Sequence, residues 1–179
     1  MDYPSVFHLV SDISKKTGIS LVLIGGFAVN FYKYTRQTVD VDFLIREQDF
    51  QKILTLLEAA GYKVNYSQEA FARLICAKSS TLLDIDFMFV EEETLAKIIK
   101  DSQEISIAGC AFSVPSLEHL IALKLHAVKY NLKLRLAKDI PDIINLIRIN
   151  KLDAKSKKFK ELCLKYATEE IYQKILDGI

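Results

Sequence analysis

The sequence predicts an α+β (α/β) fold: a mixed β-sheet flanked by helices, followed by a C-terminal helical lobe. Three observations carry this. Between Tyr3 and Val114, short apolar runs rich in β-branched residues alternate with amphipathic helical stretches. From Ser116 onward the apolar spacing is helical. The chain has 179 residues, of which 50% are apolar, enough for one core or two small ones and no third. The boundary is expected after Val114, with one lobe over residues 1–114 and a helical lobe over 115–179.

Taken in order, Tyr3 to Lys16 spaces Val6, Leu9, Val10 and Ile13 along one helical face, and Gly18 closes it. Ile19 to Ile24 is an apolar run long enough only for a buried strand, ended by Gly25 and Gly26. Phe27 to Tyr34 has helix-compatible spacing, and Val39 to Ile45 is the next strand. Gln48 to Ala60 is a second amphipathic helix, with Phe50, Ile53, Leu54 and Leu57 inward, stopped at Gly61. Tyr62 to Tyr66 and Phe71 to Ala77 are strands; a polar turn at Lys78 to Thr81 pairs the second with Leu82 to Val90 as an antiparallel hairpin. Glu91 to Lys100 is a helix with acids in its first turn and lysines near its end, favourable to its dipole. Glu104 to Val114 is one strand or a hairpin around Gly109. Ser116 is an N-cap after Pro115, and Pro141 fits a first helical turn, where its missing N–H is harmless.

Composition narrows the class. The net charge of +1 conceals an asymmetry: Met1 to His119 holds 11 Lys and Arg against 16 Asp and Glu, whereas Leu120 to Ile179 holds 13 against 7. An acidic half beside a basic half suits a site for metal and polyphosphate, although a lysine run such as Lys155, Lys157, Lys158 and Lys160 is ordinarily a solvated surface. Cys76, Cys110 and Cys163 are widely spaced and odd in number, which suggests neither a disulfide framework nor a zinc site. His8, His119 and His126 lack metal-ligand spacing. No apolar stretch is long enough to span a bilayer and no basic leader opens the sequence, so the expectation is a soluble cytoplasmic protein without membrane attachment.

The chemistry lies in the acids. Asp40 and Asp42 alternate with Val39, Val41 and Phe43, so on a strand both carboxylates share one face, about 6 to 7 Å apart along it. Asp84 and Asp86 repeat the pattern inside the apolar run Leu82 to Val90. Carboxylates in such surroundings need a partner or a metal, and oxygen ligands of this kind suit Mg²⁺. The glycines supply a complement, since backbone N–H groups at a helix start favour phosphate oxygens.

The order strand, Gly25-Gly26, helix, Arg36-Gln37-Thr38-Val39-Asp40-Val41-Asp42, then an acid on a later strand, resembles the polymerase-β-type nucleotidyltransferase superfamily. It is most similar to the AbiEii-type nucleotidyltransferases, which include toxins of toxin–antitoxin systems. Lys124 within Pro115 to Ala127, followed by Arg135-Leu136-Ala137-Lys138-Asp139-Ile140-Pro141-Asp142, resembles that family's second signature. The resemblance spans roughly Ile19 to Ile147. It implies Mg²⁺-dependent transfer of a nucleoside monophosphate from a nucleoside triphosphate to an acceptor hydroxyl on RNA, tRNA or protein, with an antitoxin as a partner. It implies metal ligation by Asp40, Asp42 and Asp86, with Asp84 the competitor for third carboxylate, and Asp86 activating the acceptor. Gly25, Gly26, Lys124 and Lys138 would hold the triphosphate, with Asp139 near the same cleft.

Plainer roles compete. Gly25 and Gly26 also suit a tight turn. Thr38 orients Asp40 or is structural, and Arg36 balances the acids or reaches a phosphate. Lys124 lies beside an apolar stripe of Leu120, Leu123 and Ala127 and would snorkel to solvent; Asp142 would pair with Lys138, and Arg135 with Asp139, along one helix. Tyr32, Tyr34 and Tyr130 serve packing or stack on a base. A non-catalytic binding module on the same fold, antitoxin-like or an adaptor, and a small-molecule transferase of the aminoglycoside type are the rival functions.

Overall fold

The computed structural model describes residues 3–76 and 82–179. The expected turn at Lys78 to Thr81 lies outside them. The described residues divide into two compact units, one of those within Met1–Ala28 and Gln37–Ser116 and one of Val29–Arg36 with Leu117–Ile179. None of the described helices is long and apolar enough to cross a membrane.

The first unit is built on a seven-stranded mixed sheet. Its strands are β1 (Val22–Leu23), β2 (Asp40–Ile45), β3 (Tyr62–Gln68), β4 (Phe71–Cys76), β5 (Asp84–Phe89), β6 (Gln103–Ile107) and β7 (Cys110–Val114), in the order β3-β4-β5-β2-β1-β7-β6. β2 runs parallel to β5 and β1 parallel to β7; the other neighbours are antiparallel. The expected pairing of β4 with the run beginning at Leu82 is present, Phe71 opposite Met88 through Leu74 opposite Ile85. Glu104 to Val114 forms a hairpin rather than one strand. Its two-residue turn puts Ala108 and Gly109 at φ 52° and 77°, the double left-handed geometry that matches the twist of the flanking strands.

Helices α1 (Val6–Thr17), α3 (Glu47–Ala59) and α4 (Glu92–Lys100) belong to this unit. α1 ends where its spacing predicts, on Gly18 at φ 69°. α2 (Gly25–Phe31) differs from expectation, because the glycines open the helix instead of preceding it, and β1 shrinks to two residues. Period-two alternation then sorts the two central strands. Phe43 and Phe87 face each other with ring centroids 6.1 Å apart, Phe50 of α3 lies 5.1 Å from Phe87, and Phe7 of α1 lies 5.8 Å from Phe112. Each such ring contributes roughly 2 to 3 kcal/mol by leaving water. This apolar set fixes the register, since a one-residue slip of β2 or β5 would turn its phenylalanine outward and its aspartates into the core.

The second unit comprises α5 (Leu117–Tyr130), α6 (Leu132–Ile149), α7 (Lys157–Tyr166) and α8 (Glu169–Asp177). Ser156 and Thr168 cap α7 and α8 by accepting hydrogen bonds from the N–H groups of Phe159 and Ile171. Val29–Arg36 joins this unit through Asn150, whose side-chain amide donates to the Tyr32 carbonyl at 3.1 Å, and through an ion pair of Arg36 with Asp142 at 3.0 Å. Pro141 corrects the sequence expectation: it lies inside the 18-residue α6, not in a first turn. There it withholds one backbone hydrogen bond from the helix.

Candidate active site

The acids of β2 and β5 come together through strand register. Asp40 lies opposite Asp84 and Asp42 opposite Asp86 on adjacent parallel strands, so four carboxylates share the sheet face turned away from the phenylalanines. Asp40 and Asp86 are buried and Asp84 is half-buried.

Thr38, just before β2, donates from its hydroxyl to Asp40 Oδ1 at 3.0 Å. That bond fixes one oxygen of Asp40. The glycines make room for the same group. A Cβ at Gly25 would stand 1.8 Å from Asp42 Oδ2, and one at Gly26 would stand 2.6 Å from Thr38 Oγ1. Gly25 has φ 61°, unfavourable for any side chain. Gly25-Gly26 therefore lets the first turn of α2 lie directly on Asp42 and Thr38, and the Ile24 N–H donates to the Asp42 carbonyl at 2.9 Å to hold that approach.

One residue of this acid face escaped the sequence reading. Arg73 of β4 is the antiparallel partner of Asp86 and points to the acid face. Its Nε donates to Asp86 Oδ1 at 2.7 Å and its Nη2 to Asp86 Oδ2 at 2.6 Å, while Nη2 also donates to Asp40 Oδ2 at 3.1 Å. The fork to Asp86 raises the Arg73 pKa above its ordinary value, with the charges of Asp86, Asp40 and Asp84 adding to it against burial. Among the described residues no three acids, histidines or cysteines form a ready-made metal cage. The donor chemistry nevertheless fits a hard cation, because carboxylate oxygens of Asp40 and Asp86 already converge on one cationic nitrogen. The available sequence signal was a lone arginine within Phe71-Ala72-Arg73-Leu74-Ile75.

The remaining candidates form a second group inside the helical unit. Lys124 of α5 is buried and donates to Asp139 at 2.8 Å and to Asp142 at 2.7 Å, both on α6. Asp142 also meets Arg36, and Arg135 lies 3.8 Å from Asp139. So Lys124 does not snorkel, and Asp142 pairs with Lys124 and Arg36 instead of with Lys138, which is exposed. The local pairing of Arg135 with Asp139 holds. Two buried acids sharing buried and half-buried cations satisfy one another, as an ion cluster out of water must.

The fold is that of the nucleotidyltransferases. It is similar to the antibiotic-resistance factor ANT(2'')-Ia, at 16% identity with TM-score 0.65, covering 95% of this chain and 92% of that one. It is also similar to the lincosamide antibiotic adenylyltransferase LnuA, at 18% identity, TM-score 0.53 and coverage of 78% and 93%. An antigenic nucleotidyltransferase-like protein from Paracoccidioides brasiliensis matches at 14% identity, TM-score 0.55 and coverage of 95% and 89%. No curated protein matches the sequence. The chain belongs to the family described as uncharacterised nucleotidyltransferase, whose profile matches residues 15–177. It is accordingly an enzyme of nucleotidyl transfer.

Proposed function

We propose that the chain transfers a nucleoside monophosphate from a nucleoside triphosphate to an acceptor hydroxyl, with Asp40, Asp42 and Asp86 holding Mg²⁺. The observation that carries this is the parallel register of β2 and β5, which sets Asp42 against Asp86 and Asp40 against Asp84. The metal ion, when bound, offsets charge at the α-phosphorus and lowers the pKa of the acceptor hydroxyl. Asp86 takes the acceptor proton, the acceptor oxygen bonds to the α-phosphorus, and the bond from that phosphorus to the bridging oxygen breaks to release pyrophosphate. Thr38 keeps Asp40 turned to the acid face. The N–H groups of Gly25 and Gly26 receive phosphate oxygens.

The acceptor is RNA, tRNA or a protein, and an AbiEii-type toxin held by an antitoxin is the biological role. Supporting the anionic acceptor is the surplus of cations after Leu120. A small hydroxylated acceptor is the second reading. Its support is the near-complete mutual coverage with ANT(2'')-Ia, which has been solved in complex with adenylyl-2''-tobramycin. Incubation with each α-labelled nucleoside triphosphate, Mg²⁺ and, separately, total RNA, cell protein or aminoglycosides tests all of this. Label transfer by the unaltered protein and its loss in Asp42→Asn supports the activity and names the acceptor; transfer to none of them, or transfer that survives Asp42→Asn, refutes it. Growth arrest on expression, absent in Asp42→Asn, is the expected sign of a toxin.

A further inference from the structure

Nothing in the proposed reaction uses Arg73, although it is the cation that the acid face holds. Its placement is imposed by the sheet, because β4 pairs with β5 so that Arg73 stands directly across from Asp86. Both oxygens of Asp86 accept from its guanidinium, and Asp40 is engaged at both oxygens, by Thr38 at Oδ1 and by Arg73 at Oδ2. A nitrogen donating to two carboxylates at once stands where their lone pairs converge. A divalent ion sharing Asp40 and Asp86 seeks that same place, and two cations cannot both occupy it without strong repulsion. The arginine side chain remains 38% exposed, so it has an open flank toward which to swing. Its fork matches phosphate oxygens as well as carboxylates.

We propose that Arg73 is the resident cation of the acid face: it keeps Asp40 and Asp86 together in the metal-free protein and must let go of both carboxylates when a divalent ion binds. This rests on Asp40, Asp42 and Asp86 being metal ligands, as proposed above. Arg73 is thus a positioning residue that suppresses binding of free metal. A triphosphate relieves the suppression by offering the guanidinium another partner, so metal and nucleotide bind with positive coupling.

The test is binding of Mn²⁺ alone, followed through the free-ion EPR signal, to the whole chain as isolated and to Arg73→Gln, Arg73→Lys and Arg73→Gln/Asp42→Asn, each verified as folded by circular dichroism. Arg73→Gln is expected to bind one Mn²⁺ at least about tenfold more tightly than the unaltered protein, because a repelling unit charge has left the site. Arg73→Lys should gain less, and the double variant should lose the gain. Equal or weaker Mn²⁺ binding by Arg73→Gln overturns the inference and leaves the metal site standing. No binding by any variant, with or without ATP, overturns both. Should Arg73→Gln not fold, the unaltered protein decides: the Arg73 Nε–H, held by Asp86, should exchange slowly in ¹⁵N NMR and lose that protection as Mg²⁺ and ATP are added. Protection that persists at saturation overturns the inference.

Discussion

Gly25 and Gly18 both sit at left-handed φ, 61° and 69°, yet their replacement by alanine has different expected consequences. At Gly18 an added Cβ meets nothing within 4 Å, so Gly18→Ala loses only the backbone preference, about 1 kcal/mol. At Gly25 the same atom would overlap Asp42, so Gly25→Ala should lose more than about 2 kcal/mol and abolish activity. Thermal melts of the two variants side by side check this; equal shifts would show that α2 does not press on the acid. Cysteine reactivity gives an independent reading of the core. Burial pushes the Cys163 thiol up to about 12, so it remains the unreactive thiol form through neutral and mildly alkaline pH. Cys76 is only half-buried. A thiol reagent at pH 8 should label Cys76 before Cys163, a difference that peptide mapping resolves.

Two elements hold buried carboxylates in ion pairs, local ones in α3 and pairs between α5 and α6 in the helical unit. In α3, Asp49 is buried in the first turn with Arg46 and Lys52 donating to it. Burial alone would raise its pKa, but the two hydrogen bonds outweigh burial and hold the carboxyl below its ordinary value. A depressed folded value means the contribution is whole above the unfolded value of about 3.9 and disappears as pH falls through the folded one. Asp49→Asn should therefore lower stability by about 1 kcal/mol at pH 7, the cations being partly exposed, and the gap should close below about pH 4. Denaturant melts across that range measure it. In the helical unit, removing Lys124 takes the nearest cation from buried Asp139 and Asp142, leaving Arg135 at 3.8 Å from the one and Arg36 at 3.0 Å from the other. Lys124→Met should lower stability by about 3 to 5 kcal/mol without nucleotide present. An unchanged melting temperature together with lost activity would instead assign Lys124 to the triphosphate. Pro141 lies in the same unit: its neighbours in sequence suggest a helix start, but packing of α6 carries the helix through it.

For the molecule as a whole, the surplus of cations after Leu120 separates the acceptor classes. One of those cations, Lys158, pairs at 2.5 Å with Glu118, an acid outside that stretch, which reduces the effective surplus. With RNA as acceptor, KM should rise steeply as salt increases from 50 to 200 mM, by about tenfold or more, whereas a neutral acceptor would show little change. Initial rates over that series decide it. Much of the architecture could be read from residue order. The alternation in Val39 to Ile45 and in Leu82 to Val90 places each aspartate pair on one face, and Gly18, Gly61 and Gly109 mark real ends and turns, because periodicity and backbone freedom act over a few residues. Strand adjacency does not follow from such local rules. That β5 runs parallel beside β2 with Asp86 against Asp42, that β4 brings Arg73 across to Asp86, and that Lys124 lies between Asp139 and Asp142 all depend on hydrogen bonds and buried apolar area shared by segments far apart in the chain. Local pattern chose the faces; only the packing of distant segments chose which faces meet, since the free energy of that pairing belongs to no single stretch of sequence.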